Sequence, residues 1–250
     1  MPRILVTNDD GYFSPGIEAL AAALRAIGEV IVVAPLTEAS AVGHALTLRR
    51  PLRIQKMGEA VYAVDGTPTD CVNIAIDQIM TEPPDIVVSG INTGLNVGDD
   101  VTYSGTVAGA FEAALLGFAG IAVSLERPSM EFGPGAEVAA KFAALVLEHG
   151  LPYRTFLNIN VPKGEIRGIK ATVQAARNHI TKVDRRLDPR QRPYFWIEEA
   201  QDDWAPHDRS DRQAIKDGYV SVTPLQPDLT DHKSIDLVEQ LTKRIVSGVR

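Results

Sequence analysis

Over the first two-thirds of the chain, short unbroken apolar runs alternate with longer stretches where apolar residues recur every three or four positions. Residues 3–7 read as a strand. Residues 16–27 read as a helix, with Ile17, Leu20, Leu24 and Ile27 on one stripe. A second strand, 29–34, is closed by Pro35, and 52–56 with 61–64 form a short β pair. Residues 67–80 carry helix-start signals: Thr67 as N-cap, Pro68 in the first helical position and Asp70 closing a capping box. The run Ile86-Val87-Val88 within 85–91 lacks alternation, as expected of a strand buried on both faces. Helices over 106–116 and 136–149 and strands over 121–125 and 156–161 continue the rhythm. This is an α/β pattern: a mostly parallel sheet with helices on both faces and right-handed crossovers.

The rhythm breaks near residue 163. Strands are expected at 168–175, 194–199 and 218–225, with a charged stretch around 182–192 between the first two. A polar segment, 202–211, holds Trp204, Pro206 and His207, and 234–246 reads as a final helix. The chain thus divides into an α/β core over 1–165, a β-rich C-terminal extension over 166–233 and a terminal helix over 234–250. The extension is a poor independent core, so it is expected to be an arm packing on the core or on a second subunit, the alternative being a solvated insertion.

Composition narrows the function classes. A chain of 250 residues that is 45% hydrophobic and 23% charged is ordinary for a globular protein. No apolar stretch approaches the ~18 residues of a membrane span, and the N-terminus shows no signal-peptide pattern. The single cysteine, Cys71, permits no internal disulfide and reads as a small buried residue on a helix, so a cytoplasmic setting is expected. A net charge of −7 argues against duplex nucleic acid as a partner, but not against a small phosphate ligand whose charge a metal offsets.

The first strand stops at Asn8-Asp9-Asp10-Gly11. Carboxyl ends of parallel strands are where ligands bind, and two adjacent carboxylates call for a positive partner, usually a divalent cation. The simpler alternative is a strand-to-helix turn with Asp10 as N-cap. The strand at 85–91 ends in a second unusual loop, where Gly90, Gly94 and Gly98 free the backbone and Asn92 and Asn96 offer amide donors and neutral oxygens. Tyr103-Ser104-Gly105-Thr106 then precedes an Ala-rich helix; hydroxyls beside free helix-start amides can bind phosphate without lysine, or merely cap the helix. In the loop after Pro35, Ser40 is a neutral oxygen ligand or a solvated serine.

Together these stretches resemble the SurE (survival protein E) family of metal-dependent 5′-nucleotidases, as do Gly66-Thr67-Pro68-Thr69-Asp70-Cys71, Gly218-Tyr219-Val220-Ser221 and Pro224-Leu225. The resemblance implies a Rossmann-like sheet with a β-hairpin and C-terminal arm exchanged between subunits, giving homodimers and often tetramers. It implies a metal held by Asp9, Asp10, Ser40 and Asn92, and a phosphate held by Asn96, Ser104, Gly105 and Thr106. Asp9, Asp10, Asn96 and Ser104 form the catalytic group on this reading. Where the family commonly has glycine after the loop serine, this chain has Ala41, which restricts the backbone. An all-oxygen ligand set suits one Mg²⁺ or Mn²⁺ per subunit and disfavours zinc, with two carboxylates balancing the dication.

The expected activity is phosphomonoester hydrolysis of nucleoside 5′-monophosphates, with 3′-monophosphates and polyphosphate left open. Competing readings are a metal-dependent nucleotide-sugar transferase, which would release no phosphate without an acceptor, and a nucleotide-binding regulator, which would bind without turnover. A haloacid-dehalogenase-type phosphatase is disfavoured, since it needs carboxylates two apart after the first strand. Tyr12, Phe13, His44 and Tyr103 are candidates to border a nucleobase or to serve packing, and His179, His207 and His232 are taken as structural.

Overall fold

The computed structural model describes residues 1–127, 131–177, 182–198 and 204–248. A nine-stranded sheet runs in the order β3-β4-β2-β1-β5-β6-β7-β11-β8. Its strands are β1 (Arg3–Thr7), β2 (Glu29–Pro35), β3 (Ile54–Gly58), β4 (Val61–Val64), β5 (Ile86–Thr93), β6 (Ala119–Leu125), β7 (Phe156–Val161), β8 (Ile169–Ala171) and β11 (Val220–Leu225). The strands from β4 to β7 are parallel, β3 pairs antiparallel with β4, and β11 pairs antiparallel with β7 and parallel with β8.

The apolar runs are buried on both sides, which explains their missing alternation. Ile4 and Val6 pack towards α1 (Pro15–Leu24) and α4 (Gly133–His149), whereas Leu5 packs with Val33, Val87 and Cys71 under α2 (Pro68–Ile74). The α3 helix (Gly105–Leu115) covers Ala122 and Phe156 through Val107, Ala110 and Ala114. Cys71 is fully buried. The capping box at Thr67 and Asp70 forms as expected, but the α-helix stops at Ile74 and continues as a π-helical turn, Ala75–Ile79. Ser14, not Asp10, caps α1.

The segment after residue 165 departs from the expected pattern in two places. The charged stretch is a strand: β9 (Lys182–Leu187) pairs antiparallel with β10 (Pro193–Glu198) in a separate hairpin. The polar stretch leads into a short helix, α5 (Asp211–Lys216), capped by Ser210. The β8 and β11 strands complete the main sheet, and α6 (Ile235–Gly248) ends the described chain. His179 lies outside the described residues. Among them, no helix is long and apolar enough to cross a membrane.

Candidate active site

Strand order sets the location. From β1 the chain proceeds to one side of the sheet, through β2 and β4; from β5 it proceeds to the other, through β6 and β7. The reversal falls between β1 and β5, and a crevice opens beyond their carboxyl ends. Thr7 and Ser89 are paired in register. Asp10 and Asn92 each follow three positions later, so the two loops start level with each other.

The β1 loop is held from beneath. Asn8 is fully buried, and its side-chain amide donates to Gly11 O (3.0 Å) and Ser14 Oγ (2.9 Å). Its amide oxygen is buried with no hydrogen-bond partner among the described residues. Asp9 is buried at the start of α3, where its carboxylate accepts from the Thr106 hydroxyl. Close approach requires glycine here: a Cβ on Gly105 would lie 2.7 Å from Asp9 Cβ, and one on Gly109 would lie 2.8 Å from Thr7 Cγ2. These two positions, four apart, let one helix face rest on the strand ends.

Burial pushes the Asp9 carboxyl above its ordinary range, opposed chiefly by the Thr106 hydroxyl, with Glu38 adding repulsion. Burial, the Asp9 charge and Glu38 push Asp10 up to about 6, against the pull of Arg127. Among the described residues, Asp9 and Glu38 thus add negative charge at Asp10 and Arg127 offsets part of it, which is a cation-seeking field. Among the described residues, no three His, Cys, Asp or Glu side chains converge to hold a metal ion. A cation here would rest on two carboxylates and neutral oxygens. The donor set fits Mg²⁺ or Mn²⁺: both are hard cations, and the Asp9–Asp10 pair carries an electrostatic cost that a dication relieves.

The remaining predicted residues fall around this pair in distinct roles. Ser40 is exposed and its hydroxyl donates to Glu38 at 2.7 Å, while the neighbouring Ala39 amide anchors the loop on Asp9 O (2.8 Å). Ala41 adopts φ 55°, the left-handed region where glycine would be unstrained. Asn92 turns its amide nitrogen to Gly94 O (2.8 Å), so its carbonyl oxygen is the atom left to offer a cation. Asn96 is buried in a polar network. Its backbone amide donates to Asn160 Oδ1 (2.8 Å), its side-chain amide to Ser124 Oγ (2.8 Å), and its carbonyl accepts from Asn158 and Asn160. One amide hydrogen of Asn96 is thereby committed to the protein, leaving one for a ligand.

At the helix start, Ser104 Oγ accepts from the Val107 amide (3.1 Å) and keeps its own hydrogen to donate. The Thr106 hydroxyl and amide both serve Asp9. The Ser104 hydroxyl and the Gly105 amide are thus the donors left at this helix start. Tyr103 and Phe13 are exposed, Tyr12 packs edge-on against Phe13 with ring centroids 5.4 Å apart, and His44 is engaged by Glu112.

Sequence reading missed four contributors. Glu38 and Arg127 reach the site from loops, and nothing in their immediate neighbours marks them. Asn158 and Asn160 did carry a signal: amides alternating with Leu157, Ile159 and Val161 in a strand with all six residues buried. The far loop is tied down as well. Buried Asp211 accepts from the amides of Gly98 (2.8 Å) and Ala175 (3.0 Å), and Arg177 meets Asp99 and Asp100 while stacking on Trp204 at 4.5 Å.

The chain is similar to known proteins in sequence and in fold. The family model described as "Survival protein SurE" matches residues 4–181. A protein named 5′-nucleotidase SurE from Syntrophotalea carbinolica is 50% identical over 240 residues, covering 95% of this chain and 96% of the relative. One of the same name from Aquifex aeolicus is 45% identical over 247 residues, covering 96% and 98%. The crystal structure of the SurE protein from Aquifex aeolicus superposes with a TM-score of 0.87 at 44% identity, covering 96% of this chain and all of that one. By sequence along nearly its whole length and by fold, the chain belongs to the SurE family.

Proposed function

We propose that this protein is a 5′-nucleotidase, a phosphoric monoester hydrolase that removes the phosphate from nucleoside 5′-monophosphates with one divalent cation, Mg²⁺ or Mn²⁺, per subunit. The observation that carries this reading is the buried Asp9 carboxylate seated on the start of α3 beside Asp10. It sets a cation site and a phosphate-donor site against each other. Asp9, Asp10, Asn92 and Ser40 would hold the metal. When bound, such an ion polarises a phosphoryl oxygen and lowers the pKa of a water.

The chain's own residues account for the rest. Thr106 fixes the Asp9 rotamer, so one ligand is in place before substrate arrives. The Ser104 hydroxyl, the Gly105 amide and the free hydrogen of Asn96 donate to the phosphoryl oxygens, where charge builds during displacement. Arg127, held by its Nε donating to Thr93 O at 2.7 Å, offsets negative charge at the mouth. Only two carboxylates enter the ligand set, which limits repulsion of an incoming phosphate dianion. The hairpin β9–β10 exposes Val183, Leu187, Phe195, Trp196 and Ile197, which supports exchange with a second copy in a homodimer.

The test is phosphate release from a panel of nucleoside monophosphates with EDTA, Mg²⁺ or Mn²⁺. Turnover should need the cation, and Asp9→Asn should lower it at least about a hundred-fold while leaving the fold intact. Near-normal turnover in that variant, or turnover undiminished by EDTA, would contradict the proposal.

A further inference from the structure

Glu112 is a buried carboxylate that the hydrolytic scheme does not use. It lies on α3 and is 5% exposed. Its Oε1 accepts from Asn73 Nδ2 at 2.7 Å, and its Oε2 sits 2.5 Å from His44 Nε2. A single hydrogen bond joins these two atoms. The His44 ring also rests on Phe111, with centroids 4.6 Å apart. Asn73 in turn donates to Thr69 O (3.0 Å) within α2. The pair therefore bolts a loop residue to two packed helices.

That loop carries Ser40. Between β2 and β3 the chain has no regular structure, and Ser40 itself is exposed. Backbone contacts hold the loop on either side: Ala39 N to Asp9 O (2.8 Å) and Gly43 N to Tyr103 O (3.0 Å). Further along, Thr67 donates to Ala45 O (2.7 Å) and Thr47 N donates to Asp70 Oδ1 (2.9 Å). Between Ser40 and Ala45, the side chain that reaches a buried carboxylate is His44, on Glu112. Glu112 also sits on the helix whose first turn holds Asp9 and the phosphate donors.

We propose that His44 and Glu112 are a positioning pair: they fix the Ser40 loop in register with the start of α3, so that the fourth metal ligand stays aligned with Asp9 and Asp10. His44 touches neither metal nor phosphate. Its loss loosens the cation site and leaves the chemistry of a loaded site nearly intact. The inference rests on the nucleotidase reading for its kinetic consequence, but the loop anchoring itself does not.

The experiment compares wild type, His44→Ala and His44→Gln. Gln keeps a side-chain N–H for Glu112 without a ring, and both changes fall in a part-exposed loop, so the fold is retained. Amide hydrogen exchange in EDTA reads the loop directly. Exchange at Ala39 and Gly43 should quicken in His44→Ala and return most of the way to wild type in His44→Gln. Mn²⁺ titration should show affinity weakened about ten- to a hundred-fold in His44→Ala, the range for residues that orient metal ligands. kcat at saturating Mn²⁺ should be little changed, and His44→Gln should recover most of the affinity. Unchanged exchange at Ala39 and Gly43 in His44→Ala overturns the anchoring, whether or not the protein turns over nucleotides. Quickened exchange with unchanged Mn²⁺ affinity, or a loss confined to kcat, overturns the link to the metal site. Absence of nucleotide turnover in the wild type would instead count against the nucleotidase reading alone.

Discussion

At the scale of single residues, the site is a balance between stability and readiness. Asp10 is held by burial and by two neighbouring carboxylates at about 6, against an ordinary 3.8. The folded chain therefore binds this proton more readily than the unfolded chain does. Between those two values the folded state holds more protons, so this group's contribution to stability falls as pH rises and stays lost above about 6. In EDTA, Asp10→Asn should melt at a higher temperature than wild type. The gap should widen from pH 4 to pH 6 and then level off. Mn²⁺ should reverse the order, because at a thousand-fold excess over its Kd it adds about 4.1 kcal/mol to the wild type, more than the roughly 3 kcal/mol that the raised carboxyl costs above pH 6. A constant gap across pH in thermal melts would show that Asp10 is not strained by its neighbours.

At the scale of elements, α3 and the loops around it do the positioning. Asp211 binds the extension to the loop beyond β5 by accepting from the amides of Gly98, Ala175 and Arg212. Asp211→Ala strands those buried donors, each costing about 1–3 kcal/mol. A total of about 3 kcal/mol lowers Tm by roughly 6–12 °C in a protein of this length. An unshifted melting curve would show that water replaces the carboxylate. What the sequence made legible follows from the same elements. The ends of β1 and β5 were readable because fully buried apolar runs stop abruptly at polar side chains. The strand Lys182–Leu187 was not, since a two-stranded hairpin with exposed faces imposes no alternation on its charges. The α5 helix has six residues, too few to show a stripe. Glu38, Arg127 and the His44–Glu112 contact arise from chain closure between distant segments, which no local spacing encodes. Thr106 was expected to hold phosphate, whereas its hydroxyl and amide serve Asp9; that bond was not legible, because it depends on how closely Gly105 and Gly109 let the helix approach.

At the scale of the whole molecule, the apolar surface is unevenly placed. Phe195, Trp196 and Ile197 on the hairpin are 59%, 58% and 77% exposed, and α6 exposes Leu237, Val238, Leu241 and Ile245. Such a surface is costly in water unless a second copy covers it. If the proposed homodimer is held by this surface, replacing Phe195 and Ile197 together with Glu should convert it to a monomer in light scattering, with little effect on the melting of the core sheet. An unchanged dimer would place the interface elsewhere. The proposed chemistry depends on a cation shared by neighbouring carboxylates at the switch point of the sheet. Its most direct measurement is an anomalous difference map from crystals soaked in Mn²⁺. The account predicts a strong peak bridging Asp9 and Asp10 within reach of the Asn92 carbonyl oxygen, lost in Asp9→Asn. A map with no peak there, or one bound only at a distant surface, would contradict it.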